Sequence, residues 1–407
     1  MVASINDRAI RVAPGLRCAR YVSSLDLRPT LDVMKGAGPP LLVGAPSGHT
    51  RGSHTNQPPR RGRRPLMQQQ REYVGIDLHR RRSVIVRMNE AGEKLSTVRI
   101  ANDPLELAAA IAKAGPEPEV VVEATYGWYW AADVLNMCGA HLHLAHPLGV
   151  KGFTYRRVKN DERDAADLAD LLRMGRLPEA WAAPPAVREL REIVRHRDKL
   201  VRLRSGLKAQ VHAVLGKEGV TVTVSDLFGV AGQAALAATP LGRPFARRVA
   251  SLQRLIGVYD TEIDQLDKEI AAALRDDLGY RAIQAIPGVG PILAAVFVAE
   301  IGDVTRFSSA PKLCCWAGLT PRHRESDTTV HRGHISKQGS KLVRWAAIEA
   351  AQKAPCRTPI KEEFRRIAER RNCRPIARTA VARKILTLVF YGLRDGEIRC
   401  LSEVVEQ

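Results

Sequence analysis

Apolar and polar positions fall into a regular order from Tyr73 onward. The runs YVGIDLH, SVIVRMN and KLSTVRIAN are rich in β-branched residues and separated by brief polar turns, which predicts three strands of a meander. PLELAAAIAKAG then places its apolar residues at helical spacing, and EVVVEAT is a nearly unbroken apolar run suited to a buried central strand. YWAADVLNMCG is helical again, and HLHLAHP reads as a fifth strand. The expectation is an α/β layer with three antiparallel strands followed by helix-linked ones. The helix after it, within VKNDERDAADLADLL, should turn an apolar stripe to a core, yet it carries Asp161, Asp164, Asp167 and Asp170 at a three-residue spacing.

Residues 184–279 are mostly long and helical. One stretch is basic (VRELREIVRHRDKLVRLRSGLKAQVHAVL), and a second carries Leu252, Leu255, Ile256, Tyr259, Ile263, Leu266 and Ile270 close to a coiled-coil seam. Two such helices form either an antiparallel pair or a dimer, and the seam does not decide between them. Residues 280–407 run from AIQAIPGVGPILAAVFVAEIGDVTRF through the polar, loop-rich TPRHRESDTTVHRGHISKQGS into helices that carry Arg344, Arg365, Arg366, Arg370 and Arg371. IPGVGPILAAVFVAEIG has the shape of a helix-hairpin-helix. There Gly288 and Gly290 allow a tight turn whose backbone N–H groups can approach a phosphate; an ordinary αα-turn is the plainer reading. Residues 1–66 are rich in Pro, Gly, Ser and Arg and end in RGSHTNQPPRRGRRPL, a composition that cannot bury much apolar surface. They read as a disordered basic extension, either outside the native protein, with Met67 as the start, or an arm that lies on nucleic acid. The expected organisation is therefore 1–66, 67–183, 184–279 and 280–407.

A chain of 407 residues is too long for one ordinary core, and a formal charge of +20 points to a polyanionic partner, most simply nucleic acid. No apolar run is long enough to cross a membrane, and no apolar segment follows the first charges as in a signal peptide. The seven cysteines are odd in number and contain no C-x-x-C pair, which supports neither a disulfide framework nor a zinc knuckle and fits a reducing cytoplasm.

Carboxylates stand where apolar residues are expected. Asp77 interrupts the first strand and Glu123 sits inside VVVEAT, and an ionised carboxylate in a buried strand is costly unless paired or coordinated. Asp161 and Asp164 lie one turn apart on one helical face, where like charges repel unless a cation sits between them. For Asp167 and Asp170 the helix dipole is explanation enough. Together Asp77, Glu123, Asp161 and Asp164 form four hard oxygen donors of the kind Mg²⁺ prefers, and from chemistry alone they point to metal-assisted phosphoryl transfer.

The strand Asp of GID, the strand Glu of EAT and the D-x-x-D of NDERDA resemble the RuvC-like DEDD domain of a family of bacterial insertion-sequence transposases related to the Piv-type DNA invertases. The resemblance covers the chain from Met67 to its end. It implies an RNase H-like (RuvC-like) N-terminal domain, a helical coiled-coil middle and a mainly α C-terminal transposase domain. It also implies Mg²⁺ on the same four acids and a recombinase that cuts and rejoins DNA under the guidance of a bridge RNA. Such proteins work as homo-oligomers, dimers or tetramers, on the nucleoid in the bacterial cytoplasm. WAGLTPRHRESDTTVHRGHISKQGSKLVR is similar to the family's transposase domain, whose pattern is G-L-x-P, a Ser-Gly and a basic glycine-containing segment. By position Ser326 matches the nucleophilic serine, Asp327 stands where the family has Gly, and Ser336 is the alternative nucleophile. Arg322, Arg324, Arg332, Lys337 and Arg344 suit phosphate oxygens, while His323, His331 and His334 read as solvated or phosphate-binding loop residues. Two other readings stay open: a RuvC-like structure-specific nuclease with no serine intermediate, and a catalytically inactive nucleic-acid-binding derivative.

Overall fold

Tyr73–Leu78 (β1), Arg82–Met88 (β2) and Lys94–Ala101 (β3) form the expected antiparallel meander. The computed structural model describes residues 71–153, 160–327 and 329–402, so the basic extension 1–66 and Met67 lie outside the described residues. Glu119–Glu123 (β4) runs parallel to β1, His141–Ala145 (β5) runs parallel to β4, and the short Glu179–Ala180 (β6) closes the edge antiparallel to β5. The order is β3-β2-β1-β4-β5-β6, consistent with an RNase H-like domain; β6 had no signal in the sequence.

Period-two alternation assigns the two faces of this sheet. Val74, Ile76, Val120 and Val122 turn to the crossover helices Pro104–Ala112 (α1) and Trp128–Met137 (α2), where Leu107, Ile111 and Leu135 complete one core. Val121, Val84 and Val86 turn the other way. After the single turn Pro147–Val150 (α3), the acidic helix Asp161–Arg173 (α4) covers that face with Ala165, Leu168, Leu171 and Leu172. Asn160 caps α4 by accepting from the Glu162 N–H, and Asp161, Glu162 and Asp164 occupy the first turn, where the helix dipole favours them. Asp170 lies beyond that turn. Its carboxylate is held by Arg173 at 2.6 Å, so an ion pair rather than the dipole accounts for it.

α4 approaches β1 more closely than side chains normally allow. A Cβ on Gly75 would lie 1.9 Å from the Ala165 carbonyl oxygen and 2.9 Å from the Ala169 nitrogen. The helix backbone therefore rests on the strand backbone at this point.

Pro185–Lys217 (α5) and Arg243–Ala273 (α7) pair antiparallel within the chain, with Val230–Ala238 (α6) between them in sequence. Arg197 pairs with Asp267 and Arg204 with Asp260, so numbers rise on one helix as they fall on the other. The buried seam of α7 is Val249, Leu252, Ile256, Ile263 and Ile270, whereas Leu255, expected on it, is 47% exposed. One end of the pair packs with Leu227 and Leu236, and at the other Val194 and Ile270 enter the C-terminal core.

That core is built on Pro291–Ile301 (α9), apolar but for the buried Glu300 and packed by α5, α7, Leu278–Gln284 (α8) and Lys341–Lys353 (α11), with Ala310–Trp316 (α10) and Arg374–Asp395 (α13) in the same core. Pro359–Arg371 (α12) and Arg399–Ser402 (α14) complete the helices. The polar stretch read as a loop is instead an antiparallel hairpin, Pro321–Ser326 (β7) with Thr329–Ile335 (β8). Among the described residues no helix is long and apolar enough to cross a membrane.

Trp181, just past β6, joins the sheet region to this core. The Arg306 guanidinium lies 4.7 Å from the Trp181 ring, 4.1 Å from Phe307 and 4.8 Å from Trp316, an aromatic cage around one cation. Burial pulls Arg306 down to about 10, which leaves it charged at neutral pH. Gly302, at φ +62°, makes room: a Cβ there would come within 2.5 Å of Trp181. Arg191 adds a second bond between the regions, stacking on Trp181 and donating to the carbonyls of Ala299 and Glu300.

Candidate metal centre and nucleic-acid contacts

β1 places Asp77 on the face that meets α4, two residues beyond Gly75, and only 9% of it is exposed. Glu123 is the last residue of β4 and half-buried, so the structure corrects its expected place inside the strand: it stands at the strand's C-terminal edge, where connections diverge and leave a crevice. Asp164 reaches the same crevice from the first turn of α4. Asp77, Glu123 and Asp164 together line a cleft of about 360 Å³ with Lys151, Leu148 and Leu168.

Asp161 does not line that cleft. Its Oδ2 lies 3.2 Å from His79 Nε2, which is itself 3.1 Å from Asp77 Oδ2, and Arg82 approaches Asp161 at 3.5 Å. The four expected acids are thus divided, three around the cleft and the fourth linked to Asp77 through His79. The three carboxylates line one cleft from β1, β4 and α4, whereas among the described residues the ligand atoms within 4.8 Å of one another are those of Asp77, His79 and Asp161. Glu162, between the two aspartates, turns to β3 instead. Hydrogen bonds from Lys94 (2.6 Å) and Thr97 (3.1 Å) hold its carboxyl below the usual carboxylate range and fix the first turn of α4.

His79 and Lys151 were missed by sequence reasoning. His79 had a signal, its two-residue spacing from Asp77 in DLH, which puts both on one side of the strand. Lys151 had none, because only the path of the chain after β5 carries it to the cleft.

Ser326 ends β7 opposite Thr329, exposed at the hairpin tip and outside the lining of the carboxylate cleft. Asp327 adopts φ +52°, the left-handed region where glycine is at ease and Asp is among the more tolerant other residues. The missing glycine is therefore a conformational matter as well as one of charge. Ser336 is engaged through its backbone, donating to Thr320 and accepting from Arg322. Arg344 donates to the carbonyls of Ala317 and Gln338, and burial lowers its pKa, so it braces the loop after β8. Arg324 is exposed on β7, and the Arg332 backbone pairs with His323. Lys337 lines a groove of about 700 Å³ with His334, Arg371 and Arg383 over an apolar floor of Leu319, Ile335 and Ile376.

The turn between α8 and α9 uses its glycines unequally. Gly288, at φ +94°, packs directly on α11, since a Cβ there would lie 2.3 Å from the Ala350 carbonyl oxygen. Gly290 opens α9 with free space beside it.

Residues 74–218 match a transposase family model, that of the DEDD transposases of the IS110 type, and residues 280–366 match the model of the transposase IS116/IS110/IS902 family. A Pseudomonas aeruginosa protein named "Probable family 20 transposase" is 29% identical over 234 residues, covering 55% of this chain and 67% of its own length. The "Insertion element IS116 uncharacterized 44.8 kDa protein" of Streptomyces clavuligerus is 26% identical over 390 residues, 81% of this chain and 96% of the relative. The "Pilin gene-inverting protein" of Moraxella lacunata is 31% identical over 145 residues, 34% of this chain and 45% of the relative.

Proposed function

The chain belongs to the IS116/IS110/IS902 family of transposases, and from that membership we propose that it cuts and rejoins DNA by metal-assisted phosphoryl transfer at the carboxylate cleft, with Ser326 as the nucleophile. The observation that carries the reading is the convergence of Asp77, Glu123 and Asp164, from two strands and a helix, on one cleft. Their donor set fits Mg²⁺, with Asp161 at its margin. Divalent cations held there would supply Lewis acidity toward the attacking and leaving oxygens of a phosphodiester. Lys151 offers a positive charge to the phosphate from the rim of the cleft, and Leu148 and Leu168 give that rim apolar walls. Ser326 Oγ forms the new bond to phosphorus as a bridging P–O bond breaks, and its exposed hairpin tip suits a partner that comes from outside. That geometry supports action across a homo-oligomer, a dimer or tetramer. The basic groove at Lys337, Arg371 and Arg383 suits a nucleic-acid backbone, either DNA or a bridge RNA, and bacterial cytoplasm with access to nucleoid DNA is the matching location.

One observation favours a second reading, a structure-specific nuclease: Ser326 does not line the cleft. The two separate in one experiment. Glu123→Gln keeps the shape of the side chain but removes an anionic donor, so strand cleavage with Mg²⁺ should fall by at least about a hundredfold, as for loss of one charge-stabilising group. Asp170→Asn, at the Arg173 pair, should leave cleavage unchanged. Unaltered cleavage in Glu123→Gln would remove the cleft from the chemistry. A covalent protein–DNA adduct, absent in Ser326→Ala, selects the transposase route, and cleavage without an adduct selects the nuclease. No cleavage under any condition would leave a nucleic-acid-binding derivative.

A further inference from the structure

We propose that His79 is a metal ligand, so that the carboxylate centre has two chemically different cation positions: a hard one at Asp77, Glu123 and Asp164, and a second at Asp77, His79 and Asp161 that prefers Mn²⁺ to Mg²⁺. The proposal rests on the reading of the cleft as a divalent-metal centre.

The spacing of the donors is the first argument. His79 Nε2 lies 3.1 Å from Asp77 Oδ2 and 3.2 Å from Asp161 Oδ2, and the three donor atoms fall within 4.8 Å of one another. Ligands at neighbouring corners of an octahedron, with bonds of about 2.1 Å, stand about 3 Å apart, and opposite corners stand about 4.2 Å apart. The two separations from Nε2, 3.1 and 3.2 Å, match neighbouring corners of such a site.

The second argument is how His79 is held. Its N–H donates to the Arg82 carbonyl at 3.1 Å, and its own carbonyl accepts from the Asn102 side chain at 2.6 Å. Asn102 accepts in turn from the Ser83 hydroxyl at 2.7 Å. The backbone that presents the imidazole is therefore fixed on both sides. Nε2 is buried and makes no aligned hydrogen bond, although two carboxylate oxygens lie close to it. With both carboxylate oxygens 3.1 and 3.2 Å away, a neutral imidazole can share a cation with them. Arg82, 3.5 Å from Asp161, is a neighbouring cation and would be displaced outward when the position fills.

Chemistry chooses the ion. A nitrogen donor adds little for Mg²⁺, which prefers oxygen, and more for a first-row transition ion, whose affinity for mixed nitrogen and oxygen sites is higher. Mn²⁺ tolerates both the carboxylates and the imidazole.

The test uses the full chain without DNA. Mn²⁺ is titrated and followed by electron paramagnetic resonance, with pulsed measurement of nitrogen coupling, and Mg²⁺ is titrated by calorimetry. Wild type should show a ¹⁴N coupling to bound Mn²⁺. In His79→Gln the coupling should vanish and Mn²⁺ affinity should fall about tenfold, while Mg²⁺ affinity stays within about threefold. Glu123→Gln should weaken Mg²⁺ and keep the coupling, which separates the two positions. Bound Mn²⁺ without nitrogen coupling in wild type, or coupling that survives in His79→Gln, overturns the role of His79 and leaves the cleft reading standing. No Mn²⁺ binding at all overturns both.

Discussion

At Asp327, conformation and charge act on the same serine. The residue sits at φ +52° beside Ser326, in a region that costs a side chain about 1–2 kcal/mol, less for Asp than for most. Glycine removes that strain but loses about 0.5–1 kcal/mol of chain entropy on folding. Asp327→Gly should therefore alter the unfolding free energy by less than about 1 kcal/mol, the balance of those two effects. On the proposed reading it also removes an anion beside the phosphate that Ser326 would attack, so adduct formation should speed up, as measured by the rate of protein–DNA crosslink on a cleavable substrate. A slower variant would mean that the Asp327 carboxylate assists the serine. At this scale Asp77 and Glu123 stood out because charge in an apolar strand is conspicuous; the structure sets them with Asp164 on one cleft and Asp161 apart from it. His79 carried only its two-residue spacing from Asp77 as a cue, and the packing of α4 on β1 is what brings Asp161 to its other side.

Among the elements, the seating of α4 on β1 is decided by Gly75. Alanine there places a methyl 1.9 Å from the Ala165 carbonyl oxygen, and backbone on both sides leaves nothing flexible to yield. Gly75→Ala should cost about 1–3 kcal/mol of stability, in the range of overpacked cores, and should also weaken Mg²⁺ binding because α4 carries Asp164 away from Asp77. Denaturant unfolding reads the first effect and calorimetric Mg²⁺ titration the second. Loss of stability with full Mg²⁺ affinity would show that the cleft does not depend on this contact. Strands β1 to β5 and α4 were legible from their own patterns of apolar residues, whereas the two-residue β6 is too short to carry one. The partner of α7 was not, because a seam looks the same toward an internal or an external helix, and the ion pairs of Arg197 and Arg204 decide it. The β7–β8 hairpin was hidden by its own exposure: both of its faces are polar, so no alternation marks it.

For the whole molecule, the aromatic cage of Arg306 couples the sheet region to the C-terminal core. Arg306→Ala should destabilise by about 1–2 kcal/mol, the worth of a desolvated cation over aromatic rings. Arg306→Lys should recover little, since a compact ammonium cannot stack flat on Trp181 and Trp316. Urea unfolding measures the loss, and full recovery by lysine would show that charge alone suffices. The net charge of +20 pointed to nucleic acid from composition alone, yet where that charge gathers, as at Lys337, Arg371 and Arg383, depended on the folded C-terminal helices and hairpin. One further consequence follows from the order of the elements along the chain. Asp77 stands on the first strand, whereas Asp161 and Asp164 stand on the helix that follows the last parallel strand. A ribosome must therefore release the five strands β1 to β5 and then α4 before any donor set closes. On the proposed reading, a nascent or prematurely terminated chain that stops short of Asp161 lacks a complete donor set and would make no stray cuts in the genome that carries the gene.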